Sequence, residues 1–238
     1  MSAFGLELNI WFLEHQVESL KRYLTAIEEF IAKETERLNK TAKELEEKRP
    51  ALDEGTGPDL DDYLANLAFE VNELKELTLS SFSVSVMVSL EQTLAYLCDA
   101  EKVRRKQAFS YNEMTGSRGI GQALNYLKKI FGNEEFPFDS KSIEILNAAI
   151  IIRNAAMHAD AKIRGDAKVK SIKEFGEKYP GLLEFHDLNS RAGNMAIEVT
   201  VTLGYAKLLL NLHTDIIAGI ERHIREAAAK EHGPHEGF

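Results

Sequence analysis

The sequence has very little cysteine, since Cys98 is the only one in 238 residues. A chain with one cysteine cannot form an internal disulfide, which suits a reducing compartment, and we therefore expect a cytoplasmic protein. Because Leu94, Tyr96 and Leu97 give Cys98 an apolar setting, its thiol is predicted to be a small buried side chain.

Long hydrophobic runs are also lacking. The longest apolar stretches, 82–90 and 208–212, are much shorter than the roughly 20 residues that a membrane-spanning helix requires. The N-terminal residues carry no basic charge, so they do not look like the start of a secretory signal peptide. The sequence therefore predicts no membrane span and no membrane partner.

The sequence also lacks an excess of positive charge, because its net charge is −9. This balance argues against a protein that coats nucleic acid non-specifically. Basic residues nevertheless form two clusters, which are Lys102, Arg104, Arg105 and Lys106, and Lys162, Arg164, Lys168, Lys170 and Lys173. The simpler interpretation of both is a solvated helix face. The candidates for binding RNA belong to the second cluster, and they are Lys162, Arg164, Lys168 and Lys170.

Strand signals are nearly absent and helical periodicity fills the chain, so we predict an all-α fold. A heptad stripe covers the first segment, from about 6 to 48. Pro50 is expected to end this helix because it lacks an amide donor. A second stripe runs from Leu60 to Leu74. The simplest arrangement is a long antiparallel helical hairpin over residues 1–78, and a coiled coil between two chains is the alternative.

Residues 79–230 are predicted to form a helical bundle, and residues 231–238 a disordered tail. Residues 80–90 alternate like a strand but run directly into a helical pattern, so we predict a buried helix that ends near Ser110. The further helices are predicted at about 118–131, from 139 or 140 to before Gly165, at 167–179 and at 195–229.

The segment Arg153-Asn154-Ala155-Ala156-Met157-His158 lies near the end of a strongly apolar predicted helix. Asn154 and His158 are four residues apart and share a helix face, and the long side chain of Arg153 can reach the same point. Arginine suits bidentate phosphate contact, and histidine exchanges a proton near neutral pH. Together they could hold a phosphodiester and move a proton during attack by a ribose 2′-hydroxyl. The loose pattern of an arginine, four to six residues and a histidine is weak evidence, because Arg225 and His232 match it as well.

The stretch Ile152–Asp160 resembles the signature of the HEPN superfamily, in which arginine, a polar residue that is often asparagine, and histidine occur at this spacing. Residues 89–98 resemble the first core helix of many HEPN proteins, where a glutamate, here Glu91, lies in an apolar helix. The resemblance covers about 80–229 and implies a bundle of four or five helices that forms a homodimer. It also implies a metal-independent endoribonuclease that needs no cofactor and leaves a 2′,3′-cyclic phosphate. Such proteins occur in toxin–antitoxin and phage-defence systems, which implies an antitoxin or regulatory protein as a further partner.

By the same resemblance, His158 would act as general acid and base, Arg153 would bind or orient the phosphate, and Asn154 would position the RNA or the imidazole. Glu91 would support this group. In a simpler interpretation, Arg153 only pairs with Glu91 or Asp160, His158 only caps its helix, and the chain is a non-catalytic interaction or dimerisation module. The enzyme requires a solvent-accessible site, whereas the module allows a sealed one.

Other kinds of site have little support. No Glu-x-x-His pair occurs in the sequence, so the ligand spacing of a di-iron helical bundle is missing. The tail histidines His232 and His235 are expected to be flexible. Gly119 and Gly121 follow no predicted strand, so they are not expected to form a dinucleotide-binding loop. We therefore predict no metal site and no cofactor.

Overall fold

The computed structural model describes residues 3–52, 60–132, 138–158, 162–188 and 195–231, and the description does not extend to the side chains of 3–10, 48–52, 158 and 227–231. In these ranges the elements are α1 (Ala3–Leu52), α2 (Leu60–Arg104), a short 3-10 turn (Tyr111–Glu113), α3 (Ile120–Phe131), α4 (Ser140–His158), β1 (Lys162–Arg164), α5 (Asp166–Lys178), β2 (Leu183–Leu188), β3 (Ala196–Val201) and α6 (Leu203–Glu231). The predominantly helical fold predicted from the sequence is confirmed. Within the described ranges, no helix is both long and apolar enough to span a bilayer.

The helices α1 and α2 form the predicted antiparallel hairpin. Gln16 on α1 contacts Ser89 and Gln92 on α2, and the Tyr23 ring lies 5.5 Å from the Phe82 ring. Later residues of α1 therefore contact earlier residues of α2, so the two helices are antiparallel. The helix α2 is continuous across the predicted boundary between 78 and 79.

Pro50 does not end α1 where the sequence predicted, because the helix extends to Leu52. A proline in the last turn removes one hydrogen bond, and only two further residues follow before the helix ends. The predicted loop over 53–59 lies outside the described residues, as does the predicted tail over 232–238.

The middle of α2 is the centre of the core. The predicted buried helix over 80–90 is confirmed, and its Ser83 hydroxyl donates to the Leu79 carbonyl at 2.8 Å. Cys98 is buried as predicted, and burial raises the pKa of its thiol. The helix α6 lies parallel to α2, because Thr93 contacts His213 and, further along both helices, Glu101 contacts His223.

A small sheet was not predicted from the sequence. A three-stranded antiparallel sheet has the order β1-β3-β2. Residues 196–201, predicted as the start of the last helix, form β3, in which Ile197, Val199 and Val201 alternate towards the core. These β-branched side chains suit a half-buried strand. Residues 162–164, predicted as a fading helix end, form β1.

Most helix ends lie close to their predicted positions. The carboxylate of Asp139 caps α4 by accepting the Ser142 amide at 2.7 Å, and this bond lowers the pKa of Asp139. The helices α3 and α5 differ from prediction by one or two residues. The largest differences are at α6, which begins at Leu203 rather than near 195, and at α2, which ends at Arg104 rather than near Ser110.

Candidate functional site

The helix α4 packs against α2 and brings Arg153 to Glu91. One terminal nitrogen of Arg153, Nη2, lies 3.3 Å from Glu91 Oε2, and Nη1 lies 3.4 Å from Asn154 Oδ1. The Arg153 and Glu91 side chains are 28% and 36% exposed. The pair is therefore open to solvent on one side, so a ligand can reach the guanidinium.

The guanidinium of Arg153 is only partly satisfied. Its Nε is buried and has no hydrogen-bond acceptor among the described residues. Buried donors in folded proteins are normally paired. Because Nε is sealed from solvent, an anion would approach the terminal nitrogens of the guanidinium, which pair only with Glu91 and Asn154 among the described residues.

Glu91 is packed between Arg153 and the start of α3. The N-cap residue of α3 is Gly119, with φ +58, and a Cβ at that position would lie 2.8 Å from Glu91 Oε1. The positive end of a helix dipole favours a carboxylate. Gly119 therefore provides both a backbone conformation that other residues rarely adopt and the space that the Glu91 carboxylate occupies.

Replacing Gly119 by alanine is expected to lower the free energy of unfolding by about 1–2 kcal/mol, because the left-handed backbone disfavours a Cβ and Glu91 must move. Urea unfolding followed by circular dichroism measures the change. Gly121→Ala is the matched control, because its nearest neighbour, Ser117 Cβ, would lie at an ordinary 3.5 Å. Equal stability of Gly119→Ala and Gly121→Ala would contradict the role given to Gly119.

The backbone of α4 places His158 one turn beyond Asn154, at the last residue of the helix. The His158 side chain lies outside the described side chains, and Asp160 lies outside the described residues. Met157, one turn beyond Arg153, is exposed. The three motif residues therefore lie in the final two turns of α4, and this end of the helix is open to solvent at Met157.

The predicted RNA-binding residues follow the motif directly. Lys162 lies on β1 opposite Glu198 and is half-buried. Arg164 and Lys168 are exposed, and neither has an ion-pair partner among the described residues. Lys170 is also exposed and lies 3.9 Å from Glu174. The structure thus leaves Arg164 and Lys168 as the most available cations after α4.

The other basic cluster is solvated only in part, because Lys106 is exposed as predicted but Arg104 and Arg105 pair with a buried carboxylate. Arg104 and Arg105 both donate to Glu101, whose side chain is 2% exposed, at 2.6 Å and 3.0 Å. His223 Nε2 lies 3.3 Å from the same carboxylate. Burial alone would raise the pKa of Glu101, but the nearby His223 and the hydrogen bonds from Arg104 and Arg105 outweigh it and lower this pKa to about 2.

The Glu101 cluster borders a polar cavity of about 520 Å³ between the start of α4 and α6. Asp139 and Ser142 line one side of the cavity, and Asp215, Arg222 and His223 line the other. Sequence reasoning missed Glu101, although its spacing of three and four residues to Arg104 and Arg105 was the available signal. Among the described residues, no group of three His, Cys, Asp or Glu side chains could hold a metal ion.

Comparisons with known proteins assign no family to the chain. A scan against protein-family models found no match, and searches of the curated proteins and of the solved structures also found none. Functional inference therefore rests on the residues and the geometry described above.

Proposed function

We propose that the chain is a HEPN-type, metal-independent endoribonuclease whose site is Arg153, Asn154 and His158. The observation that carries the proposal is the meeting of Arg153 with Glu91, 62 residues apart in the sequence, at a solvent-accessible position. Glu91 supports the site by holding the guanidinium in place.

In the proposed reaction, His158 accepts the proton of a ribose 2′-hydroxyl. The 2′-oxygen attacks the adjacent phosphorus, the bond from phosphorus to the 5′-oxygen breaks, and that oxygen takes up a proton from water. The products are a 2′,3′-cyclic phosphate and a 5′-hydroxyl. General acid–base catalysis by one group contributes about 10²–10⁴-fold. Arg153 contributes by stabilising the negative charge that develops on the phosphoryl oxygens.

The surroundings of the motif suit an RNA substrate. Arg164 and Lys168 are exposed just beyond the end of α4. Cations in this position can bind the phosphates that flank the cleaved bond. Lys162 and Lys170 belong to the same strip and make weaker contributions, because Lys162 is half-buried and Lys170 lies near Glu174.

The same proposal covers the biological setting. The enzyme would act in the cytoplasm as a homodimer, as a toxin or a phage-defence effector that an antitoxin or another regulatory protein inhibits.

A second candidate function is a non-catalytic interaction module. The observation that favours the module is the exposed apolar surface of the α1–α2 hairpin, which includes Trp11, Phe12 and Leu77.

Cleavage of a panel of structured and single-stranded RNAs in EDTA tests the proposed function. We expect cleavage products with 2′,3′-cyclic phosphate ends, and no product from RNA with 2′-deoxy sugars at the cleaved positions. Arg153→Ala and His158→Ala are expected to lose cleavage. Arg225→Ala is the matched control, because Arg225 and His232 have a similar spacing and Arg225 pairs only with Glu221 among the described residues.

Two results would contradict the proposal. Equal cleavage by the parent and by both site variants would assign the activity to a contaminant or to another site. A purified parent protein that cleaves no RNA in the panel, and also fails to bind RNA in a filter assay, would favour the interaction module.

A further inference from the structure

The outer face of the α1–α2 hairpin carries large apolar side chains that no described part of the chain covers. On α1, Phe12, Tyr23 and Phe30 are exposed although the helix buries a different stripe against the bundle. These three residues are members of one stripe along α1, whose positions are Phe12, Gln16, Ser19, Tyr23, Ala26 and Phe30. These positions alternate steps of four and three, which is the spacing of a coiled-coil seam.

The helix α2 has a matching second seam. Its positions are Leu74, Leu77, Ser81, Val84 and Val88, in alternating steps of three and four. Leu74, Leu77 and Val88 are exposed, and Val84 is half-buried. The chain therefore has two heptad seams that face solvent, in addition to the seam that joins α1 to α2.

The two exposed seams lie side by side. Phe12, Tyr23, Val84 and Val88 line one groove of about 700 Å³ between α1 and α2. Phe30 lies two turns after Tyr23 on α1. Leu74 and Leu77 lie about two turns before Phe82, the ring neighbour of Tyr23, on α2. Because the two helices are antiparallel, Phe30 is therefore on the same face of the hairpin as Leu74 and Leu77.

The apolar area of this face is most of what one side of a dimer interface requires. Ordinary side chains of this type have areas of about 150–250 Å², so the exposed fractions of the apolar seam residues and Trp11 give about 600–700 Å² per chain. The largest apolar patch of a typical monomer is about 300–600 Å². A standard interface buries about 800 Å² on each partner. A polar rim would supply the remainder.

We propose that the occupant is the same face of a second copy of the chain, and that the two hairpins form an antiparallel four-helix bundle. The seam of α1 is bulky, with three aromatic rings, whereas the seam of α2 contains Ser81, Val84 and Val88. A two-fold axis sets each α1 against the α2 of the partner subunit. The aromatic rings of one copy then fill the space above the small residues of the other.

The dimer face ends next to the candidate site. Val88 and Glu91 are three residues apart on α2, so they are neighbours on the helix surface. The seam of each copy therefore comes within about one turn of its Glu91–Arg153 pair. The dimer is inferred from the hairpin surface alone, and it does not depend on whether the chain cleaves RNA.

Sedimentation velocity of the full chain tests the dimer. The parent is expected at twice the monomer mass of 26.8 kDa. Tyr23→Glu and Leu77→Glu are each expected to raise the dissociation constant by at least about 30-fold, which is the effect of losing one interface hot spot. Both side chains are exposed, so the variants are expected to keep the helical circular dichroism of the parent.

Phe69→Glu is the matched control. Phe69 is 61% exposed and Leu77 is 66% exposed on the same helix, but the spacing places Phe69 about 100° away from the centre of the seam. A monomeric parent at tens of micromolar, a dimer that survives both seam variants, or equal weakening by Phe69→Glu would each overturn the proposed interface. Arg153→Ala is expected to remain dimeric, so a failed ribonuclease assay and a failed interface are separate results.

Discussion

Replacing Glu101 by alanine is expected to lower the free energy of unfolding by about 3 kcal/mol. The carboxylate accepts hydrogen bonds from Arg104 and Arg105 in the interior, and His223 Nε2 lies 3.3 Å away. Its removal leaves two guanidinium groups that are themselves less than one third exposed. For a chain of this length, such a loss corresponds to a fall of roughly 6–12 °C in Tm. Urea and thermal unfolding measure the effect.

The contribution of Glu101 is also expected to depend on pH. The pKa of Glu101 is about 2 in the folded protein, compared with 4.5 ordinarily. Its contribution is therefore fully present above pH 4.5 and is lost as the pH falls towards 2. The difference in stability between the parent and Glu101→Gln should be large at pH 7 and should shrink near pH 3.

An exposed ion pair provides the control for this prediction. Glu44 lies 3.9 Å from Lys40 on the surface of α1, and Glu44→Ala is expected to change the free energy of unfolding by less than about 1 kcal/mol. A Glu101→Ala variant that is as stable as Glu44→Ala, or a difference that does not change between pH 7 and pH 3, would show that the buried cluster contributes little.

The fold could be predicted where the sequence pattern is local. Residues 80–90 alternate like a strand, but helical patterns flank them on both sides, and they form the middle of α2. Residues 196–201 alternate in the same way and form β3, because β1 and β2 pair with them from distant positions. Strand formation depends on partners and burial more than on local preference. Periodicity alone therefore could not separate the two segments.

The candidate site shows the same limit. The proximity of Arg153 and Glu91 was expected from the HEPN resemblance, since no spacing in the sequence relates two residues so far apart. Gly119 could not be connected with Glu91, because the close approach depends on how α3 packs against α2. Glu101 was hidden within a cluster that looked basic and solvated, since its burial depends on the contact with α6.

Replacing Arg153 by lysine is expected to slow single-turnover RNA cleavage by about 10²–10³-fold, the usual effect of removing one charge-stabilising donor. Lysine keeps the positive charge and can still pair with Glu91, but it lacks the planar pair of N–H groups that contacts a phosphate. The Arg153–Glu91 pair is partly exposed, so the free energy of unfolding should change by less than about 1 kcal/mol. Rate and stability are measured on the same preparation.

This combination separates the two interpretations of Arg153. If Arg153 only joined α4 to α2, Arg153→Lys would retain cleavage, and Arg153→Ala would lose stability and activity together. If Arg153 contacts the phosphate, Arg153→Lys loses activity while it keeps stability. Glu91→Gln completes the comparison, because a positioning residue should lower the rate and leave unchanged the pH dependence that His158 imposes. A shifted pH profile in Glu91→Gln would instead place Glu91 in the proton transfer itself.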